Sequence, residues 1–244
     1  MVRHAGFAHF VVHFFELCPN RDFAVLNAAE QADLLRSQWP ACGHLLHMAS
    51  HIDMLGGDYQ GAILANVAGI EQDDAYERHL ESTETYYHTY TLHNHHMLCW
   101  AAMFAGDFEA AKFNARAIGH WNCSRGFFDW LLFFMDGFVT TSIVVFIRFG
   151  KWREIIEYPL PKDPERFCVF NAFLVYAKGI AHAVLGHVDE VSPNCRAPTV
   201  NTSKYTHGEH EIAAKSVNVR LRDRVLRLLM CTRPRPVFMI YGQP

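Results

Sequence analysis

One kind of turn recurs four times along the chain. Segments 54–62, 103–111, 147–155 and 184–191 each begin on a bulky residue (Met54, Met103, Ile147, Val184). A glycine comes next (Gly57, Gly106, Gly150, Gly186), then a polar residue (Asp58, Asp107, Lys151, His187), then an aromatic or valine (Tyr59, Phe108, Trp152, Val188). Glycine in that place ends a helix in a left-handed cap that residues with a Cβ resist. The aromatic or valine opens the next helix and packs back on the one before, and a small residue after it lets the two helices approach. A helix pair of this sort buries only one face, and the other must be covered by a neighbouring pair. The pattern therefore predicts an all-α chain of antiparallel helix pairs over about residues 7–191.

The stretches between turns agree. Phe7, Phe10, Val11, Phe14 and Phe15 recur at helical steps until Cys18, Pro19 and Asn20 break the run. Val25, Ala28, Ala29, Ala32 and Leu35 repeat the stripe up to Trp39 and Pro40. Strand signals are nearly absent. Half of the 244 residues are hydrophobic and 19% are charged, which excludes a disordered or collagen-like chain. The formal charge of −3 gives no reason to expect a nucleic-acid partner. That charge is unevenly spread: residues 192–244 hold 9 Lys/Arg and 3 Asp/Glu, while the rest of the chain is acidic. The change of sign sets an expected boundary near Ser192 and Pro193, between a helical domain (1–191) and a basic, proline-containing, irregular and poorly ordered tail (192–244).

Helix, glycine turn and helix repeated in this way resemble the tetratricopeptide repeat (TPR), a unit of about 34 residues. The glycines here are spaced by 49, 44 and 36 residues, so the repeats are degenerate, and segment 74–90 reads as an insertion. The resemblance is closer to a histidine-rich branch of the TPR-like superfamily. The residues that carry it are His9, His13 and Glu16, then His44, His47, His51 and Ile52, then His93, Asn94, His95 and His96. Met135 with Asp136, the turn Arg148 to Glu154, and Tyr176 to Ala181 extend it. It implies a right-handed α-α superhelix in which the first helices of successive pairs line the concave surface.

Histidine, with 16 copies, is the sharpest chemical signal. His9, His13 and Glu16 lie at i, i+4 and i+7, and His44, His47 and His51 at i, i+3 and i+7, each set on one helix face. His93 and His96 are three apart, with His95 pointing elsewhere. On first helices of a TPR-like array these faces would converge. His9, His13, Glu16, His47, His51, His93 and His96 are therefore the expected metal ligands of one pocket. Imidazoles with a carboxylate suit Zn, Fe, Cu or Ni, and Glu16 could instead orient a ligand or act as base toward a bound water. Buried, hydrogen-bonded packing histidines are the structural alternative.

Other features are weaker. Ser50 lacks a GxSxG elbow and reads as structural. Cys99 beside Trp100 reads as core, and Tyr59 and Trp152 as packing residues of their turns. Asp136, in an apolar stretch, needs a partner. Phe127 to Ile147 has membrane-spanning length, but Asp129 and Asp136 argue for a buried helix. His9, His13 and Glu16 spoil any signal-peptide reading of Phe7 to Phe15. Seven dispersed cysteines suit reduced thiols and a cytoplasmic location.

The leading expectation for function is a repeat scaffold that binds a protein or peptide in its concave groove. The competing class is a metal-binding protein or metal-dependent enzyme built on the His/Glu cluster. No membrane partner is expected. Self-association is expected through Phe7, Phe10 and Phe14 of the first helix.

Overall fold

The computed structural model describes residues 4–79, 87–119, 136–164 and 167–187. Every regular element among them is a helix: α1 (Ala5–Glu16), α2 (Arg21–Gln38), α3 (Gly43–Gly56), α4 (Tyr59–Glu77), α5 (His88–Ala105), α6 (Phe108–Gly119), α7 (Thr141–Arg148), α8 (Trp152–Glu157) and α9 (Cys168–Val184). The chain divides into two compact units, Met1–Phe149 and Gly150–Pro244. The charge boundary near Ser192 and the whole tail 192–244 lie outside the described residues.

Local chemistry accounts for the helix ends. Among the described residues, the glycines with positive φ are the four of the recurring turn: Gly57 (81°), Gly106 (81°), Gly150 (65°) and Gly186 (80°). At three of them the next amide reaches back to close the helix. Asp58 N donates to Asp53 O, Asp107 N to Ala102 O and His187 N to His182 O, each at 2.9 Å. At two turns the polar residue then caps the start of the second helix. Asp58 Oδ1 accepts from Gly61 N at 2.9 Å, and Asp107 Oδ1 from Ala110 N at 2.9 Å. Asn20 does the same for α2, accepting from Phe23 N at 3.0 Å.

In the first unit each helix from α1 to α7 packs on the next, and α1 also meets α3, as α3 meets α5. The second helix of each pair brings alanines to the seam: Ala24, Ala28 and Ala32 on α2, Ala62 and Ala65 on α4, Ala111 and Ala115 on α6, all buried. One core gathers Val12, Leu35, Met48 and Ile52, and another Leu98, Met103 and Val145. Aromatic contacts tie one turn to the next. Tyr59 stacks on Phe104 (centroids 5.3 Å apart), and Phe108 meets Phe149 edge to face (5.2 Å). The backbones of α3 and α4 approach closely at Gly43 and Gly69. A Cβ on Gly43 would collide with the Asp73 carboxylate and lie 2.5 Å from Gly69 O. Asp73 itself is buried, and accepts from Tyr87 Oη at 2.7 Å and from Asn94 Nδ2 at 2.6 Å.

In the second unit α8 packs on α9. There Lys178 Nζ donates to Ile156 O at 2.6 Å, and Tyr158 meets Phe170 at 6.0 Å.

Two expectations need revision or restriction. The insertion expected at 74–90 is shorter, because α4 continues through Glu77 and α5 starts at His88. Tyr76 and Tyr87 meet across the gap at 4.6 Å between centroids. Of the apolar stretch from Phe127, residues 127–135 lie outside the described residues, and the rest includes the eight-residue α7. No helix among the described residues is long and apolar enough to cross a membrane. Asp136 is buried.

Candidate metal centre

The contacts of α3 with both α1 and α5 bring three histidine-bearing faces together. Three groups of side chains each place their ligand atoms within 4.8 Å of one another: His9, His13 and His44; His47, His51 and His93; and His13, Glu16 and His51. Six of the seven expected residues thus meet. The seventh does not. His96 Nε2 accepts from Trp100 Nε1 at 2.9 Å, and its ring lies against Phe138 at 4.5 Å. It belongs to none of the three groups. His44 takes a place that the seven expected residues left out, although it shares a face of α3 with His47 and His51.

Hydrogen bonding fixes how the rings are presented. Asn66 on α4 is wholly buried, and its Nδ2 donates to Ala62 O at 2.8 Å. A carbonyl only accepts, so the amide can sit one way round. Its Oδ1 therefore faces His47 Nδ1, 2.7 Å away, and that nitrogen carries the hydrogen. The lone pair of neutral His47 is left on Nε2, which lies 3.0 Å from His51 Nε2. His51 Nδ1 is in turn bonded to the Glu16 carboxylate through Oε2. An ionised carboxylate accepts only, so His51 Nδ1 also carries hydrogen, and in the neutral ring its Nε2 also presents a lone pair. Two lone pairs at that distance repel unless a proton or a cation lies between them.

The His47–Asn66 contact has a counterpart in the next helix pair. Asn114 Nδ2 donates to Ala110 O at 2.8 Å, and Asn114 Oδ1 accepts from His95 Nδ1 at 2.7 Å. His95 points away from the cluster, as its position on α5 predicts. The clasp alone is thus a means of fastening a helix pair. What sets His47 apart is the second imidazole aimed at its free nitrogen.

The other end of the cluster is built around Glu16 and His44. Glu16 Oε1 accepts from His13 Nδ1 at 2.6 Å. His9 Nε2 lies 3.1 Å from His44 Nε2. His44 Nδ1 is buried and has no hydrogen-bond partner.

Burial sets the electrostatics. It lowers His44 to about 3, helped by neighbouring imidazoles, His9 first. It lowers His93 to about 4, helped by His51, and pushes His47 well below the ordinary histidine range. His9 is lowered too, by burial and by His13. Burial alone would raise Glu16, but the hydrogen bonds from His51 and His13 outweigh it and hold the carboxyl down at about 2. His9, His44, His47 and His93 are thus held toward the neutral form, the one that a divalent cation requires of an imidazole ligand, beside a carboxylate held in its ionised form.

The weaker candidates sit in structural places. Ser50 is buried inside α3. Cys99 is buried, its Sγ donates to Ala111 O at 3.3 Å, and burial pushes the thiol up to about 12. Sequence reasoning missed Asn66. The available signal was its place four residues after Ala62, repeated by Asn114 four residues after Ala110. No family model, no curated protein and no solved structure matches the chain.

Proposed function

We propose that the first unit is a TPR-like array of helix pairs that binds a divalent transition-metal cation on the histidine faces of α1, α3 and α5. The observation that carries this reading is the His47 and His51 pair. Asn66 and Glu16 take the Nδ1 hydrogens and leave two Nε2 lone pairs 3.0 Å apart, with His93 as a third donor in the same group. A carbonyl or carboxylate that fixes the far nitrogen is the usual support of a metal-ligating imidazole. Two imidazoles on one tetrahedral zinc, each at ~2.0–2.1 Å, place their nitrogens roughly 3.3 Å apart, a small adjustment from the observed separation. The aromatic contacts Tyr59–Phe104 and Phe108–Phe149, made at successive turns, support the repeat arrangement. Zn, Fe, Cu and Ni all suit imidazole, and metal analysis chooses among them. Cys18, Cys42 and Cys99 are free thiols, which fits a reducing, cytoplasmic setting.

The test is metal content. Protein produced without a histidine tag and passed through a desalting column should retain at least one equivalent of a first-row metal. His47→Ala should retain less of it than wild type, with the helical circular dichroism unchanged. Metal-free wild-type protein that fails to take up Zn, Fe, Cu or Ni on titration removes the reading.

A protein- or peptide-binding scaffold remains the second reading, and one observation favours it. Phe7, Phe10 and Phe14 on α1 are 57, 71 and 74% exposed. An apolar stripe of that size suits a protein contact. Phe10→Lys should then abolish partner capture or self-association without changing metal content.

A further inference from the structure

We propose that the cluster is a two-ion centre: one divalent cation held by His9, His13 and His44, a second held by His47, His51 and His93, with Glu16 serving both. This inference rests on the metal-binding reading above and adds the number of ions and the part played by Glu16.

Three observations carry it. First, the two histidine groups share no residue, and each supplies three nitrogens within 4.8 Å of one another. Six imidazoles exceed the needs of one four-coordinate ion. Second, each group contains one close imidazole pair. His47 and His51 present Nε2 to Nε2 at 3.0 Å, and His9 and His44 present Nε2 to Nε2 at 3.1 Å. In the second pair His44 Nδ1 is buried without a partner, so this ring has donor capacity that the protein does not use. Third, Glu16 holds one histidine from each group. Its Oε1 accepts from His13 Nδ1 and its Oε2 from His51 Nδ1. With both Nδ1 hydrogens taken by one carboxylate, the lone pairs of His13 and His51 fall on their Nε2 atoms, one for each ion. The groups are neighbours: the His44 and His47 rings stack at 5.6 Å between centroids, and those of His13 and His51 lie 5.2 Å apart.

The alternative assignment makes Glu16 itself a ligand, in a single site with His13 and His51. That site would need the carboxylate to give up both hydrogen bonds. It would leave the His9–His44 and His47–His93 nitrogens without a role.

The experiment is a titration of metal-free, untagged full-length protein with Co(II), followed by its visible absorption and by equilibrium dialysis. Wild type should saturate at two equivalents. His44→Ala and His93→Ala should each saturate at one. Glu16→Ala should weaken both sites, by about 10–100-fold each, because neither histidine then has an acceptor for its Nδ1 hydrogen. Anomalous scattering from wild-type crystals grown with zinc should place two peaks in the cluster, whether or not the variants fold. A single equivalent in wild type, retained by both His44→Ala and His93→Ala, overturns the two-ion centre while leaving the metal-binding reading intact. Two equivalents untouched by either variant, or a Glu16→Ala protein in which only one site is weakened, overturns it as well. No binding at all overturns both.

Discussion

Acidification of the metal-free protein should dismantle the first unit well before the carboxylates titrate. His44, His47, His93 and His96 are all depressed in the folded state, the first to about 3 and the last two to about 4, chiefly by burial. Released by unfolding, each returns to about 6.5. A group whose folded value is depressed contributes its full stability above the unfolded value and loses it as pH falls toward the folded one. Each of these histidines therefore costs about 1.4 kcal/mol per pH unit below about 6.5. Between pH 7.5 and 5.5 the four together remove roughly 5 kcal/mol, a large part of the ~5–15 kcal/mol that holds a typical domain. Glu16 is silent in this window, because its stabilisation is lost only from about 4.5 down to about 2. Urea unfolding with a chelator present, followed by helical circular dichroism, should show the midpoint fall by ~2 M, given a denaturant slope of roughly 2–3 kcal/mol/M. His93→Gln should reduce the pH dependence by about one proton. A midpoint that moves by less than ~0.5 M over this range would refute the reasoning, since it would mean that these rings titrate in water and not in a packed cluster.

Three further outcomes test the framework. Gly43→Ala should destabilise by more than ~3 kcal/mol, since it overpacks the α3–α4 contact and disturbs the hydrogen bonds to buried Asp73. Gly56→Ala, which meets only the Val25 methyls at 3.8 and 3.9 Å, should be neutral or stabilising by up to ~1 kcal/mol; thermal melts of the two variants that move together would refute the contact. Gly150→Val places a β-branched residue at φ 65° and should cost more than ~1 kcal/mol by urea titration, whereas an unchanged midpoint would mean that the turn does not need its left-handed cap. Alkylation at pH 8 read by peptide mass spectrometry should label exposed Cys42 and spare Cys99 until denaturant is added; early labelling at Cys99 would contradict its burial.

What could be read from the chain alone was local in origin. The turns at Gly57, Gly106, Gly150 and Gly186 were legible because a left-handed cap leaves a glycine, and its neighbours keep a fixed order. The histidine faces of α1 and α3 were legible because i, i+3, i+4 and i+7 spacing defines a face without reference to any partner. His96 shows where this logic ends. A separation of three residues from His93 spreads the two side chains by about 60° around α5, and Trp100, one turn further on, takes the ring nitrogen of His96. Asn66 depends on which side of α4 meets α3, and Asp73 acquires Tyr87 and Asn94 from a different helix pair. No short window of sequence carries those pairings.

Glu16 is the last residue of α1. A carboxylate there faces the negative end of its own helix, an arrangement that the backbone dipoles oppose. Among the described residues the imidazoles of His13 and His51 hold it in place, so the final turn of α1 is fastened from outside by the site. Whatever changes the charge on those two rings also changes the grip on that turn and on the short link through Pro19 to α2. Amide hydrogen exchange at residues 14–18 is therefore a gauge of the centre's state, readable along the backbone without any probe attached to the histidines.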